Sequence, residues 1–398
     1  MKPFQLLFIL MIVTSLHAKA DYWLQKANFG GANRADATGF SIGSKGYIGT
    51  GFVGTYATDW WEYDQVTDVW TQKANFGGSG IVEAVAFSIG SRGYVLSSPS
   101  SADFWQFDPA LNVWTQMAIF PGGARQAAVA FTIDSKGYVT CGLFTTSMND
   151  LWEYDAATDI WTQKSSLPGP GRHYACGFAI GTSGYIGTGT SAGSGFLNDF
   201  WEWQQLTDTW IQRANFPGTP RGEASAFSLG GFGYMGMGSS GGNYHTDFYQ
   251  YNPVTNTWIP KASFSGGPRE EATQFSMGAY GYVGTGYDGL SAGVMENDFW
   301  EYHPEDSTTG IQQINNQVHI QAGPNPFSTV THITLASDNK INSFTLQLYD
   351  MKGRMVLSDK INGNAYTLSR GSLSSGDYVM YILSEGNVIG KEKLSVID

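Results

Sequence analysis

Charge is scarce in this chain. Only 14% of its 398 residues are Asp, Glu, Lys or Arg, against about 25% in an ordinary globular domain. What charge there is leans acidic, 34 residues against 22 basic, for a net charge of −12. No Lys/Arg cluster occurs. There is thus no basic face to displace counterions from nucleic-acid phosphate or to hold an anionic membrane surface. With only two cysteines, the chain is no disulfide scaffold, and structural zinc would want four ligands. No P-loop, H-E-x-x-H or G-x-S-x-G is present, which removes the simplest nucleotide, zinc-hydrolase and serine-hydrolase readings. No apolar run approaches the roughly 20 residues that span a bilayer.

Aromatic and small residues are plentiful. Aromatics are 15% of the chain with 13 Trp, and Gly numbers 51. At 42% hydrophobic the chain has enough apolar surface for a large core and is not disordered. The first twenty residues have the layout of a secretory signal peptide: Lys2, the apolar run Leu6 to Val13, then Ala18-Lys19-Ala20 as a small-x-small cleavage site. Cleavage is expected before Asp21.

Three anchors recur six times. A Gly-Tyr pair places Tyr at 47, 94, 138, 185, 234 and 282, a period of 44 to 49 residues. An Asp followed by aromatics recurs at Asp59, Asp103, Asp150, Asp199, Asp247 and Asp298. A Trp recurs at 23, 70, 114, 161, 210 and 258. Each unit reads as four short strands, with I-G-S-K-G-Y as a tight turn between the first two and D-x-x-T-x-x-W between the last two. Four strands at this period predict a β-propeller. In strand one, Phe40, Phe87, Phe131, Phe178, Phe227 and Phe275 alternate with small residues such as Ala84/Ala86 and Ala128/Ala130, so large and small faces should interlock between sheets. The sixth unit lacks its own final Trp, and Tyr22-Trp23-Leu24-Gln25 is a Trp strand with nothing before it. Trp23 is therefore expected as strand four of the last blade, which removes an open sheet edge. Cys141 and Cys176 fall on neighbouring blades. Facing sheets lie about 10 Å apart and a disulfide wants Cα atoms within about 7 Å, so two buried thiols are expected.

These repeats resemble the kelch repeat across residues 21–302. The late Tyr, the Trp seven residues on, and an Arg at the head of strand one (Arg34, Arg125, Arg172, Arg221, Arg269) all match that family. Its adjacent Gly-Gly after strand two becomes G-x-G here, as in Gly49/Gly51 and Gly187/Gly189. The resemblance implies a six-bladed, all-β propeller. Secreted kelch propellers resembling galactose oxidase bind copper through His and Tyr. Only His173 and His245 could reach the ligand face here, and that copper set does not map onto this chain. No metal or other cofactor is expected, and no catalytic residue is assigned.

Residues 303–321 are polar, lack the repeat, and read as a linker. Residues 322–398 turn to short alternating strands and suggest a small β-sandwich. Pro324-Asn325-Pro326-Phe327, the run Leu348-Tyr349-Asp350-Met351-Lys352-Gly353-Arg354, the Gly376-Asp377-Tyr378 segment and the final Lys391–Val396 strand resemble the type A sorting domain of the type IX secretion system. That resemblance implies recognition by the secretion machinery, and a secreted or outer-membrane-surface location.

Candidate ligand residues cluster at the head of strand one. Two residues beyond each Arg position (Ile81 in blade two) lie Asp36, Glu83, Ala127, Tyr174, Glu223 and Glu271. In a propeller these line one mouth of the central channel. The expected funnel rim comprises Arg34, Asp36, Glu83, Arg125, Arg172, His173, Tyr174, Arg221, Glu223, Arg269 and Glu271, with Glu270 adjacent. Arg forks and carboxylates together would suit a polar sugar or a cation. The competing expectation is that each Arg pairs with a neighbouring carboxylate and holds the blades in register. Loops between strands two and three reach the same face and carry Tyr56, Tyr244 and Tyr287. The function expected is binding of a glycan or a cell-surface protein, without catalysis, by a monomer. The alternative is a sugar-modifying enzyme similar to the kelch sialate mutarotases, with a Glu as acid/base. A third possibility is a purely structural surface protein.

Overall fold

The computed structural model describes residues 20–96, 101–289, 294–304, 319–336, 343–350, 355–384 and 387–398. The signal-peptide segment up to residue 19 and most of the linker lie outside these, as do parts of the loops after strand two in blades two and six. The chain divides into two compact units at Glu305/Asp306.

The first unit is six four-stranded antiparallel sheets. Five run in simple sequence order, for example Thr38–Ile42, Lys45–Gly49, Trp60–Asp64 and Val69–Lys73. The sixth consists of Thr273–Met277, Tyr280–Gly284 and Phe299–His303, and takes Tyr22–Gln25 as its outer strand. Trp23 pairs with Tyr302 in that ladder. The N-terminus supplies a second fitting as well. In the other blades a turn Asp or Asn accepts a backbone N–H from the preceding inter-blade linker, as Asp68 does from Ala27 and Asp159 from Ala118. In the last blade Asp21 does this for Ala262 at 2.6 Å and also accepts the Tyr302 hydroxyl.

The interlock of large and small residues is more specific than the strand-one alternation implied. Each strand-one Phe fills the space over the glycine of the next blade's Gly-Tyr pair. An added Cβ on Gly93 would lie 1.8 Å from the Phe40 ring, and on Gly137 2.0 Å from Phe87. The series runs through Gly184, Gly233 and Gly281, and ends with Phe275 of blade six over Gly46 of blade one. These glycines are therefore kept for close approach and not for the turn, whose positive φ falls earlier, as at Gly43 and Gly90. Each buried Phe contributes roughly 1.5–3 kcal/mol. Cys141 and Cys176 are buried free thiols, and burial pushes them up to about 11 and about 12.

The second unit packs two antiparallel sheets. One holds His319–Gly323, Val330–Ala336 and Ala365–Ser369; the other holds Ser343–Asp350, Met355–Asn362, Gly376–Ser384 and Asn387–Val396. Its first strand starts at His319, inside the stretch read as linker. Ile333, Leu346, Leu348, Met380, Ile382 and Leu394 form a fully buried core. The Pro-Asn-Pro-Phe segment docks on the final strand: Asn325 donates to the Lys393 carbonyl and accepts from the Ser395 N–H. Among the described residues no helix is long and apolar enough to cross a membrane.

Candidate functional site

The five arginines are not on the rim. Arg34, Arg125, Arg172, Arg221 and Arg269 are at most 2% exposed. Each sits between the blade's own strands and grips the Asp of the second anchor through both terminal nitrogens. Arg172 reaches Asp199 at 2.6 and 2.7 Å, and Arg34 reaches Asp59 at 2.8 and 2.7 Å. Each also donates to a carbonyl at the end of strand two, such as Thr188 or Cys141. Four of the five guanidinium groups lie over a Phe ring, 4.6 to 5.1 Å from its centre. The terminal nitrogens of every fork are engaged, and although Nε of Arg125, Arg172 and Arg269 has no partner among the described residues, it is buried with the rest of the group, out of a ligand's reach. Burial works to raise the Asp59 and Asp199 carboxyls, but the hydrogen bonds and charge of their arginines bring both below the ordinary value. Each arginine thus pairs with a carboxylate, as the competing expectation has it, but with one of its own blade, and the idea of an arginine-rimmed funnel is corrected.

The residues two positions further on do meet at the mouth. Asp36, Glu83, Ala127, Tyr174, Glu223 and Glu271 all adopt left-handed backbone, with φ between 51° and 57°. Non-glycine residues seldom take this conformation. Here inter-blade hydrogen bonds support it. The N–H of Glu83 donates to the Asp36 carbonyl, Ala127 to Glu83, Tyr174 to Ala127 and Glu223 to Tyr174, at 2.9 to 3.2 Å. This turn aims the side chains of five residues from five blades into one cavity of about 120 Å³, floored by Ala37, Ala84, Ala128, Ala175, Ala224 and Ala272.

Burial and crowding act on these carboxyls together. Burial first, then the charges of Glu83 and Glu270, raise Asp36 to about 7. Glu271 is raised to about 8 by burial, Asp36, Glu270 and Glu83. Glu223 is raised to about 10 by burial and by Glu270, with which it shares a hydrogen bond. Two carboxyls can share such a bond only if one holds a proton. Glu83 is also raised by burial, opposed by hydrogen bonds from Tyr174 and Gln126. Oxygens of Glu223, Glu270 and Glu271 lie within 4.8 Å of one another, the one grouping among the described residues with the spacing to hold a metal ion. His173 stands beside Tyr174, its ring 5.0 Å away, and bonds Ser147 through Nδ1. Burial lowers its pKa. His245 bonds Ser240.

Around the cavity the loops present aromatic rings. Tyr56 is 58% exposed, Phe144 56%, Phe52 39% and Phe196 38%. In blades four to six the loops fold into small hairpins: Thr190–Ser191 with Gly195–Phe196, Ser239–Ser240 with Asn243–Tyr244, and Tyr287–Asp288 with Val294–Met295. The rings of Tyr244 and Tyr287 lie 6.4 Å apart, and Tyr244 hydrogen bonds Glu270. Sequence reading picked out the three tyrosines by loop position but passed over Phe144 and Phe196. Their signal is an apolar ring inside a Ser/Thr/Gly loop, where no core needs one.

Residues 323–396 match the family described as the secretion system C-terminal sorting domain. That domain marks proteins exported by type IX secretion to the cell surface or extracellular space. Among solved structures, that of YjhT matches with a TM-score of 0.60 at 15% identity, over 69% of this chain and 95% of that one. At that identity the likeness shows the fold, a kelch-type propeller. No curated protein sequence was found to match.

Proposed function

We propose that this exported propeller binds a glycan at the mouth of its channel, without catalysis. The observation that carries the reading is the pairing of a carboxyl-lined cavity with exposed aromatic rings on the surrounding loops. Sugar hydroxyls donate well to carboxylates, and sugar C–H faces pack on aromatic rings. At about 120 Å³ the cavity is well below the roughly 300–1,000 Å³ of a pocket that engulfs its ligand. One ring edge or one substituent enters, and the rest of the glycan lies across the loops. The buried, paired arginines offer no clamp for a carboxylated sugar. A glycan-array screen of the purified full chain tests this, with Glu223→Gln/Glu271→Gln as control. Binding that the control lacks supports the reading. Failure to bind any glycan removes it in favour of a protein partner or a structural role.

One observation favours a second reading. Burial and the neighbouring Glu270 raise the Glu223 carboxyl to about 10, which keeps a proton available for general acid/base chemistry. Acceleration of anomer interconversion in proton NMR, lost in Glu223→Gln, would make the mouth a sugar-modifying site.

A further inference from the structure

The mouth is a site of one sign of charge with acceptors that the protein itself does not satisfy. Asp36, Glu83, Glu223 and Glu271 line the cavity, with Glu270 beside them, and no Lys or Arg is among its lining residues. Oε2 of Glu83 and Oε2 of Glu223 are buried and have no hydrogen-bond partner among the described residues. The polar group beside Glu223 is another carboxyl, Glu270. A buried carboxylate in that position must take up a proton or be given a donor from outside. A proton satisfies the free protein. A cation carrying N–H donors would satisfy the same oxygens and release that proton.

Beside these carboxyls Tyr244 hydrogen bonds Glu270 with Tyr287 next to it, and the loops after strand two also expose Phe52, Tyr56, Phe144 and Phe196. Aromatic faces attract cations and also pack on sugar rings. An inorganic ion has no sugar face to lay on the rings, whereas an amino sugar uses both the rings and the carboxyls. We infer that the ligand presents a protonated amine to the carboxyl-lined mouth, and that its class is an amino sugar with a free, unacetylated amine. This rests on the glycan reading above and narrows it. The amine enters the cavity amid Glu83, Glu223, Glu270 and Glu271, and the sugar ring lies against the loop aromatics. An N-acetyl group removes the charge and adds bulk, so it lowers affinity.

Isothermal titration of the full chain tests this at about pH 6, where an amine is protonated. The probes are tetramers of glucosamine, of N-acetylglucosamine and of glucose. The glucosamine tetramer is expected to bind at least roughly tenfold more tightly than the other two. Repeating the titration in two buffers of different ionisation enthalpy should show protons released from the protein. Affinity should fall with added salt, and Glu223→Gln/Glu270→Gln should lose the preference. If that variant folds poorly, the proton count on the unaltered chain decides alone. Equal affinity for all three tetramers overturns the amine inference and leaves the glycan reading standing. No binding of any tetramer overturns both. Binding of glucosamine without proton release overturns the placement of the amine at these carboxyls. Saturation of the mouth by calcium chloride that the amine cannot displace overturns it in favour of a metal.

Discussion

The hydroxyl of Tyr174 donates to Glu83 at 2.7 Å, across 91 residues of sequence and one intervening blade. The two hold equivalent positions in blades four and two. Blade three has Ala127 at that position, and its small side chain leaves the path open for the phenol. The bond ties together the two sides of the mouth at the one place where the carboxylate series is interrupted.

Tyr174→Phe removes the donor and leaves a half-buried carboxylate short of a partner. A hydrogen bond to a charged group contributes about 1.5–3 kcal/mol. Urea unfolding of Tyr174→Phe is expected to show a loss in that range, with a smaller loss when Glu83→Gln is already present. Equal losses in both backgrounds would show that the two side chains are not coupled.

Blade two lacks the arginine lock. Ile81 stands where the others have Arg, and Trp105 Nε1 is buried without a partner. The equivalent Trp61, Trp152, Trp201 and Trp300 each donate to the anchor Asp of their blade. Removing a partner from a buried ion pair costs about 3–5 kcal/mol, so Arg172→Met should lower stability by about that much. Ile81→Arg restores the pair with Asp103 over Phe76 and should raise the melting temperature by a few degrees, a gain of about 1 kcal/mol. A lower melting temperature would mean that the Ile81 site has no room for the fork.

Stability should depend on pH with a sign set by the mouth. The folded-state carboxyls of Asp36, Glu271 and Glu223 are raised to about 7, about 8 and about 10, above their unfolded values near 4. Between those limits the folded protein holds more protons than the unfolded chain. Their stabilising protonation is complete below about pH 4 and is lost as pH rises through 7 to 10. Asp59 and Asp199 are lowered and act in the opposite sense, their contribution being lost as pH falls below about 4. Melting temperature should therefore peak in mildly acidic solution and decline toward pH 9. Glu223→Gln should flatten the alkaline decline. An alkaline limb unchanged in that variant would contradict the assignment.

The N-terminal strand should be indispensable. Trp23 is 7% exposed, packs edge-on against Phe264 and Phe248, and donates to the Ala262 carbonyl. Truncating a buried Trp to Ala costs about 3–5 kcal/mol. Trp23→Ala should lose that much, and deletion of residues 21–29 should give an aggregating protein. A truncated chain that melts like the parent would contradict the strand's role.

Much of this was legible in the chain alone. Spacing of the Gly-Tyr, Asp and Trp anchors specified the sheets, because a four-stranded unit repeats its turn chemistry and its alternation at fixed intervals. The unpartnered strand around Trp23 identified the last blade's missing edge, since an edge strand with a core Trp must pair somewhere. Equivalent positions also placed Asp36, Glu83, Tyr174, Glu223 and Glu271 in one series. Tertiary structure decided where the charges point. Arg172 and Tyr174 are two residues apart, yet one reaches Asp199 and the other lines the mouth, the backbone between them and strand one being left-handed at Tyr174. Whether an Arg meets a ligand or an Asp 25 to 29 residues away depends on how the head of strand one is set against strand three. That setting is not a property of local sequence pattern. The reach of Tyr174 over Ala127 to Glu83 likewise exists only once the blades are arranged around a common axis.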